Sequence, residues 1–90
     1  MRDSAKVRRN GQVPFQEIQG QAVIVVPARR ELHQLDEVGT FLWNALRESR
    51  ALDDLIEAVC EEFDVERDRA EKDVRTFVRS LEEKGLLAAS

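Results

Sequence analysis

Three short strands followed by three helices, an α+β domain with its antiparallel sheet at the N-terminal end, is the fold class this 90-residue sequence predicts. Three observations carry that expectation. The apolar spacing switches from period two to a helical period at Asp36. Gly20, Pro27 and Gly85 stand where strands or helices have to stop. Three amphipathic stretches then follow one another from Asp36 to Leu87.

Residues 1–11 are polar and basic and carry the turn signal Asn10-Gly11, so they read as a flexible N-terminal arm; residues 12–90 read as a single domain. In the first strand, Val13, Phe15 and Glu17 alternate with Pro14, Gln16 and Ile18, and Pro14 suits a strand start or an edge because it has no N–H to give to a ladder. Gln19-Gly20 forms a tight hairpin turn, with Gly20 taking the positive φ such turns require. Ala22–Val26 is a β-branched run and the best-buried strand. Pro27 stops it, residues 28–30 connect, and Glu31–Leu35 is a short third strand, too polar for a buried central position.

Asp36 opens the first helix, because its carboxylate accepts an orphan N–H of the first turn and favours the positive helix end. Val38, Leu42, Ala45 and Leu46 share its apolar face, with Phe41 and Trp43 at the margins. A turn at Glu48-Ser49-Arg50 leads to the second helix, striped by Leu52, Leu55, Ile56, Val59, Cys60 and Phe63. The third begins near Glu66 and buries Ala70, Val74, Phe77, Val78 and Leu81. Gly85 takes the left-handed terminal position, which lets Leu86 fold back on Leu81.

Composition narrows the function classes. A net charge of −4 argues against nucleic acid, which selects clustered Lys and Arg. Residues 1–35 hold six Lys/Arg against three Asp/Glu, whereas residues 36–90 hold eight against fifteen, so the helical half is the acidic one. One cysteine and one histidine make neither a disulfide nor a zinc site, which points to a reducing cytoplasm. The start of the chain resembles no signal peptide, and no window is apolar enough to span a membrane. His33 has no paired nucleophile, Cys60 falls on an apolar stripe, and EEFDVERD lacks the ligand alternation of a calcium loop. A small enzyme therefore fits poorly. A winged-helix DNA-binding regulator is the alternative, since a helix after a sheet can enter a groove, but the acidic helical half opposes it.

An exposed third strand offers unpaired main-chain groups to which an extended peptide can add as a further strand. On the third helix, Lys72, Arg75 and Arg79 lie to one flank and Arg69, Asp73 and Ser80 to the other, and the sequence leaves open which flank faces that edge. Four i,i+4 pairs are available on this helix: Asp68 with Lys72, Arg69 with Asp73, Glu71 with Arg75, and Arg79 with Glu83.

The segments ELHQLDEVGTFLWNAL, ALDDLIEAVCEEFDV and DVRTFVRSLEEKGLL, in this order, resemble the pyrroloquinoline quinone biosynthesis protein D (PqqD) family, whose fold is also known as the RiPP precursor-peptide recognition element. The resemblance covers roughly residues 13–88 and rests on Leu35-Asp36, Gly39, Leu42-Trp43, Asp73-Val74, Phe77, Leu81 and Gly85-Leu86-Leu87. Asp36 stands where the family usually has Asn, Glu48-Ser49 where Asp-Gly is common, and Leu32-His33 where an aromatic pair is common. The resemblance implies a winged helix-turn-helix-like domain without catalysis or cofactor. It also implies an adaptor that binds the leader of a ribosomally made precursor peptide and presents it to a modifying enzyme, often a radical S-adenosylmethionine maturase. A monomer is expected. Carried onto this chain, the backbone of Glu31, Leu32, His33, Gln34 and Leu35 pairs with the leader. Val74, Phe77 and their neighbours Ala70, Val78 and Leu81 floor the groove, and Asp73, Arg75 or Arg79 meets the charges of the leader.

Overall fold

The structure, a computed structural model, describes residues 6–26 and 29–88. The first five residues of the arm, the stop at Pro27 and Ala28 lie outside the described residues. The elements run β1 (Lys6–Val7), β2 (Phe15–Ile18), β3 (Gln21–Val26), β4 (Glu31–Gln34), α1 (Glu37–Ala45), β5 (Arg50–Ala51), α2 (Leu52–Phe63) and α3 (Arg67–Glu83). The α+β class and the order of the three-stranded antiparallel sheet before three helices are as the sequence predicts.

β3 is the central strand of the sheet β2-β3-β4. Gln19 and Gly20 join β2 to β3 with φ of 54° and 81°, and two successive positive φ values make a turn whose twist matches that of the strands. Along β3, Ala22, Ile24 and Val26 are buried while Gln21, Val23 and Val25 are half-buried, the period-two signature of a sheet with one face on the core. The inner face meets α1: Phe15, opposite Ile24, packs edge-on against Trp43 with ring centroids 5.7 Å apart. Trp43, expected at the margin of its helix, is completely buried, because the sheet covers the flank that a helical wheel leaves open. Leu55, Ile56 and Val59 of α2 and Ala70, Val74 and Leu81 of α3 complete the core.

Local chemistry fixes where the helices begin and end. Gly39 N–H donates to Asp36 Oδ1 at 2.7 Å, as the N-cap expectation requires. Gly85 takes φ 70°, Leu86 N–H donates to the Leu81 carbonyl at 2.9 Å, and Gly85 N–H donates to the Glu82 carbonyl at 3.1 Å, a full Schellman ending. Helix α2 starts at Ala51 with no side-chain cap, and Asp53 and Asp54 in its first turn offset the positive helix end. Thr40, the one buried polar residue among those described, accepts a 2.9 Å bond from Ala22 N–H and so ends the ladder at the start of β3.

The flexible-arm expectation meets a different arrangement over residues 6–10. β1 pairs antiparallel with β5, which itself occupies part of the expected turn at Glu48-Ser49-Arg50. Arg9 N–H donates to the Leu46 carbonyl at 2.9 Å, Asn10 N–H to the Leu86 carbonyl at 2.8 Å, and Ala88 N–H to the Arg8 carbonyl at 2.8 Å. The Arg9 guanidinium lies 4.7 Å from the Phe15 ring centroid and donates to the Trp43 carbonyl at 3.0 Å. Burial, and after it the charge of Arg47, lowers its pKa from the ordinary value. The physical reason for the difference is that two-residue strands show no periodicity, so their pairing comes from tertiary contact alone.

Candidate functional site: an open strand edge beside a cleft

The main chain of β4 presents one row of unpaired groups. Leu35 N–H donates inward to the Ala22 carbonyl at 2.8 Å, and Val25 N–H donates the other way, to the Pro14 carbonyl at 3.0 Å. With His33 opposite Ile24 and Glu31 opposite Val26, antiparallel alternation turns the groups of Glu31 and His33 toward β3. The N–H and C=O of Leu32 and Gln34 therefore point away from the sheet. Among the described residues β4 pairs with β3 alone. The side chains alternate too: His33 shares the inner face with Ile24, and Leu32 shares the outer face with Val25.

Beside this edge lies a cleft of about 600 Å³. Its walls are His33, Gln34 and Leu35; the entry and first turns of α1, with Asp36, Val38, Gly39 and Leu42; and one face of α3, with Arg69, Lys72, Asp73, Thr76, Phe77 and Ser80. Three elements converge here because β4 runs into α1 with only Leu35 and Asp36 between them. Gly39 sets the depth of the floor. A Cβ on it would meet Asp36 Oδ1 at 3.1 Å, Leu35 Cβ at 3.2 Å and Phe77 Cε1 at 3.3 Å, so only glycine lets the Phe77 ring come this close to α1. Apolar Leu35, Val38, Leu42 and Phe77 make the bottom, and charges stand on the α3 rim.

That rim is mixed in sign. Arg69 approaches Asp73 at 3.9 Å across one helical turn, and as an exposed pair it contributes about 0.2–0.5 kcal/mol. Arg75 bonds Glu71 at 2.9 Å, the second expected helical pair. The pairs Asp68–Lys72 and Arg79–Glu83 do not close among the described residues, so the Lys72 ammonium stands on the cleft rim without a carboxylate. The flank left open by the sequence is thus Arg69–Asp73–Ser80, joined by Lys72.

Of the residues singled out from sequence, His33, Gln34, Leu35, Asp73 and Phe77 line the cleft, and Leu32 lies on the adjoining edge with Glu31. Ala70, Val74 and Leu81 are buried in the core behind the floor, and Val78 is half-buried against that core. Arg75 and Arg79 are not among the cleft residues. Arg69, Lys72 and Ser80, which the sequence left open as flank residues, also line the cleft, together with Asp36, Val38, Gly39, Leu42 and Thr76, which sequence reasoning did not assign to it. For Thr76 the signal was present, because residues 69, 72, 73, 76, 77 and 80 form one i+3/i+4 ridge adjoining the core stripe. Among the described residues no group of three or more His, Cys, Asp or Glu could hold a metal, and no helix is long and apolar enough to cross a membrane.

Comparison with known proteins bears on this geometry. Among curated proteins none matches the chain. Three solved structures share its fold. TbiB1 in complex with the TbiA(beta) leader peptide is 29% identical, with a TM-score of 0.79 over 92% of this chain and 96% of that one. Lasso peptide synthetase B1 complexed with the leader peptide is 24% identical, with a TM-score of 0.78 over 94% and 100%. The PqqD truncation of Methylobacterium extorquens PqqCD, a stand-alone RiPP recognition element solved by NMR, is 14% identical, with a TM-score of 0.77 over 98% and 94%. The last two, at that identity, speak to fold alone. Residues 21–87, well over half of the chain, match the family model of coenzyme PQQ synthesis protein D, and the chain belongs to the PqqD family.

Proposed function

We propose that the protein is a non-catalytic adaptor. It binds the leader segment of a ribosomally synthesised precursor peptide as a fourth strand on β4 and presents that precursor to a modifying enzyme. The single observation that carries the reading is the outward row of Leu32 and Gln34 main-chain groups standing beside the cleft. The leader-peptide complex of its 29%-identical structural relative supports it. A radical S-adenosylmethionine maturase is the enzyme the family suggests, the protein acts as a monomer, and a reducing cytoplasm suits a chain whose one cysteine cannot close an internal disulfide.

Magnitudes assign the work between edge and cleft. Two N–H and two C=O groups, at a net 0.5–1.5 kcal/mol each, give roughly 2–6 kcal/mol. Association itself costs about 4 kcal/mol or more, so main-chain pairing alone does not hold a guest. Burying one large apolar side chain against Leu35, Val38, Leu42 and Phe77 adds about 1.5–3 kcal/mol. The edge sets the register, and the cleft decides affinity and selects the guest. Lys72, on the rim, favours an acidic guest residue.

Titration calorimetry with the leader of a precursor peptide encoded beside the gene tests this reading. Phe77→Ala is expected to weaken binding about tenfold or more, and the exposed Arg79→Ala by no more than about twofold, both on variants whose amide spectra remain folded. Equal losses for the two contradict the cleft's role.

A further inference from the structure

Strand addition reads a guest on two faces, and the cleft accounts for only one of them. A guest residue opposite His33 points its side chain to the inner face, into the cleft. Its two neighbours in the guest sit beside Leu32 and Gln34 and project to the outer face, whichever direction the guest runs. The outer face is not neutral there. Leu32 is 70% exposed, the more exposed of two large apolar side chains on the surface among the described residues, and it stands directly across from half-buried Val25. Gln34 is already engaged: its Nε2 donates to Gln21 Oε1 at 2.6 Å. The two outward positions therefore differ in chemistry, one apolar and open, the other polar and occupied.

We infer that Leu32 is a second specificity determinant, selecting an apolar or β-branched residue at the outward guest position beside it while the position beside Gln34 accepts polar residues. The inference rests on the strand-addition reading above and extends it from the cleft to the opposite face of the sheet. Its physical basis is the cross-strand pair: side chains on one face of adjacent strands touch, and a matched apolar pair excludes water from both. An edge strand that only managed its own exposure would carry a charge at this position rather than a leucine. Leu32 has Val25 across from it on one side and gains a neighbour on the other only when a strand is added.

The test is selection of a phage-displayed library of random peptides on the wild-type protein and on Leu32→Glu. Retained peptides are sorted by whether they shift the amide signals of residues 31–35. The expected result is an apolar residue two positions from the cleft-facing anchor on the wild type, replaced by Lys or Arg on Leu32→Glu, with the anchor unchanged. A wild-type-selected peptide is expected to bind Leu32→Ser roughly two- to fivefold more weakly. The same sequences retained with equal affinity by both proteins overturn the inference and leave strand addition standing. No retained peptide shifting residues 31–35 overturns strand addition, and the inference with it. A wild-type dimer in sedimentation that Leu32→Glu converts to monomer assigns Leu32 to a second copy and overturns the inference.

Discussion

The molecule treats its two sheets in opposite ways. On one side β1 lies on β5, the chain after it bonds Leu46 and Leu86, and the main chain near Leu87 and Ala88 returns to Arg8 and Arg9. On the other side β4 carries Leu32 and Gln34 with their outward groups unpaired among the described residues. The chain thus had spare extended segments near both ends and used them away from β4. An open edge is a liability that folds ordinarily blunt with charge, proline or a covering element. Beside β4 there is instead a cleft with an apolar floor, and Leu32 on the outside. The lesson is that the closed side supplies stability and the open side supplies recognition, so substitutions on the two sides should separate these properties.

The largest expected effect is on the closed side. Leu86 is 2% exposed under the arm, and Leu86→Ala should cost about 2–5 kcal/mol in urea unfolding. That is a large share of the roughly 5–13 kcal/mol expected for a domain of this size. Affinity of the remaining folded protein for a leader should be unchanged. If affinity falls in step with stability, the two sides are not separable. A smaller effect, of the opposite kind, is expected at Gly39. Alanine there gains about 1 kcal/mol of helix propensity but pushes on Leu35 and on the Phe77 ring, so stability should change by about 1 kcal/mol or less. Leader affinity should fall severalfold as the floor rises. Unchanged affinity in calorimetry means that the depth of the cleft does not matter.

Much of this architecture was legible because it is written in local chemistry. The β-branched run of β3, the Gln19-Gly20 turn, the Asp36 cap and the Gly85-Leu86 ending each state their own structure within a few residues. What was not legible depends on contacts between distant segments. β1 and β5 are too short for periodicity, and Trp43 is buried because β2 and Arg9 cover it from elsewhere in the sequence. The helical wheel of α3 marked its core stripe through Ala70, Val74 and Leu81, but a stripe has two flanks. Only the placement of β4 and the first turns of α1 selects Arg69, Asp73 and Ser80 over Arg75 and Arg79. The same placement brings Asp36, Val38 and Gly39 into the site, although Asp36 reads in sequence as a cap and Val38 as a core position.

Amide hydrogen exchange at three adjacent residues tests the central claim most directly. In the free protein, His33 N–H, bonded to β3, should exchange slowly, while Leu32 and Gln34 N–H exchange at rates near those of exposed peptide groups. At saturating leader peptide, Leu32 and Gln34 should slow by at least about tenfold, with Arg9 and Asn10 on the closed side unaffected. Leu32 and Gln34 as protected as His33 before any peptide is added, or still fast when the protein is saturated, would contradict strand addition at β4.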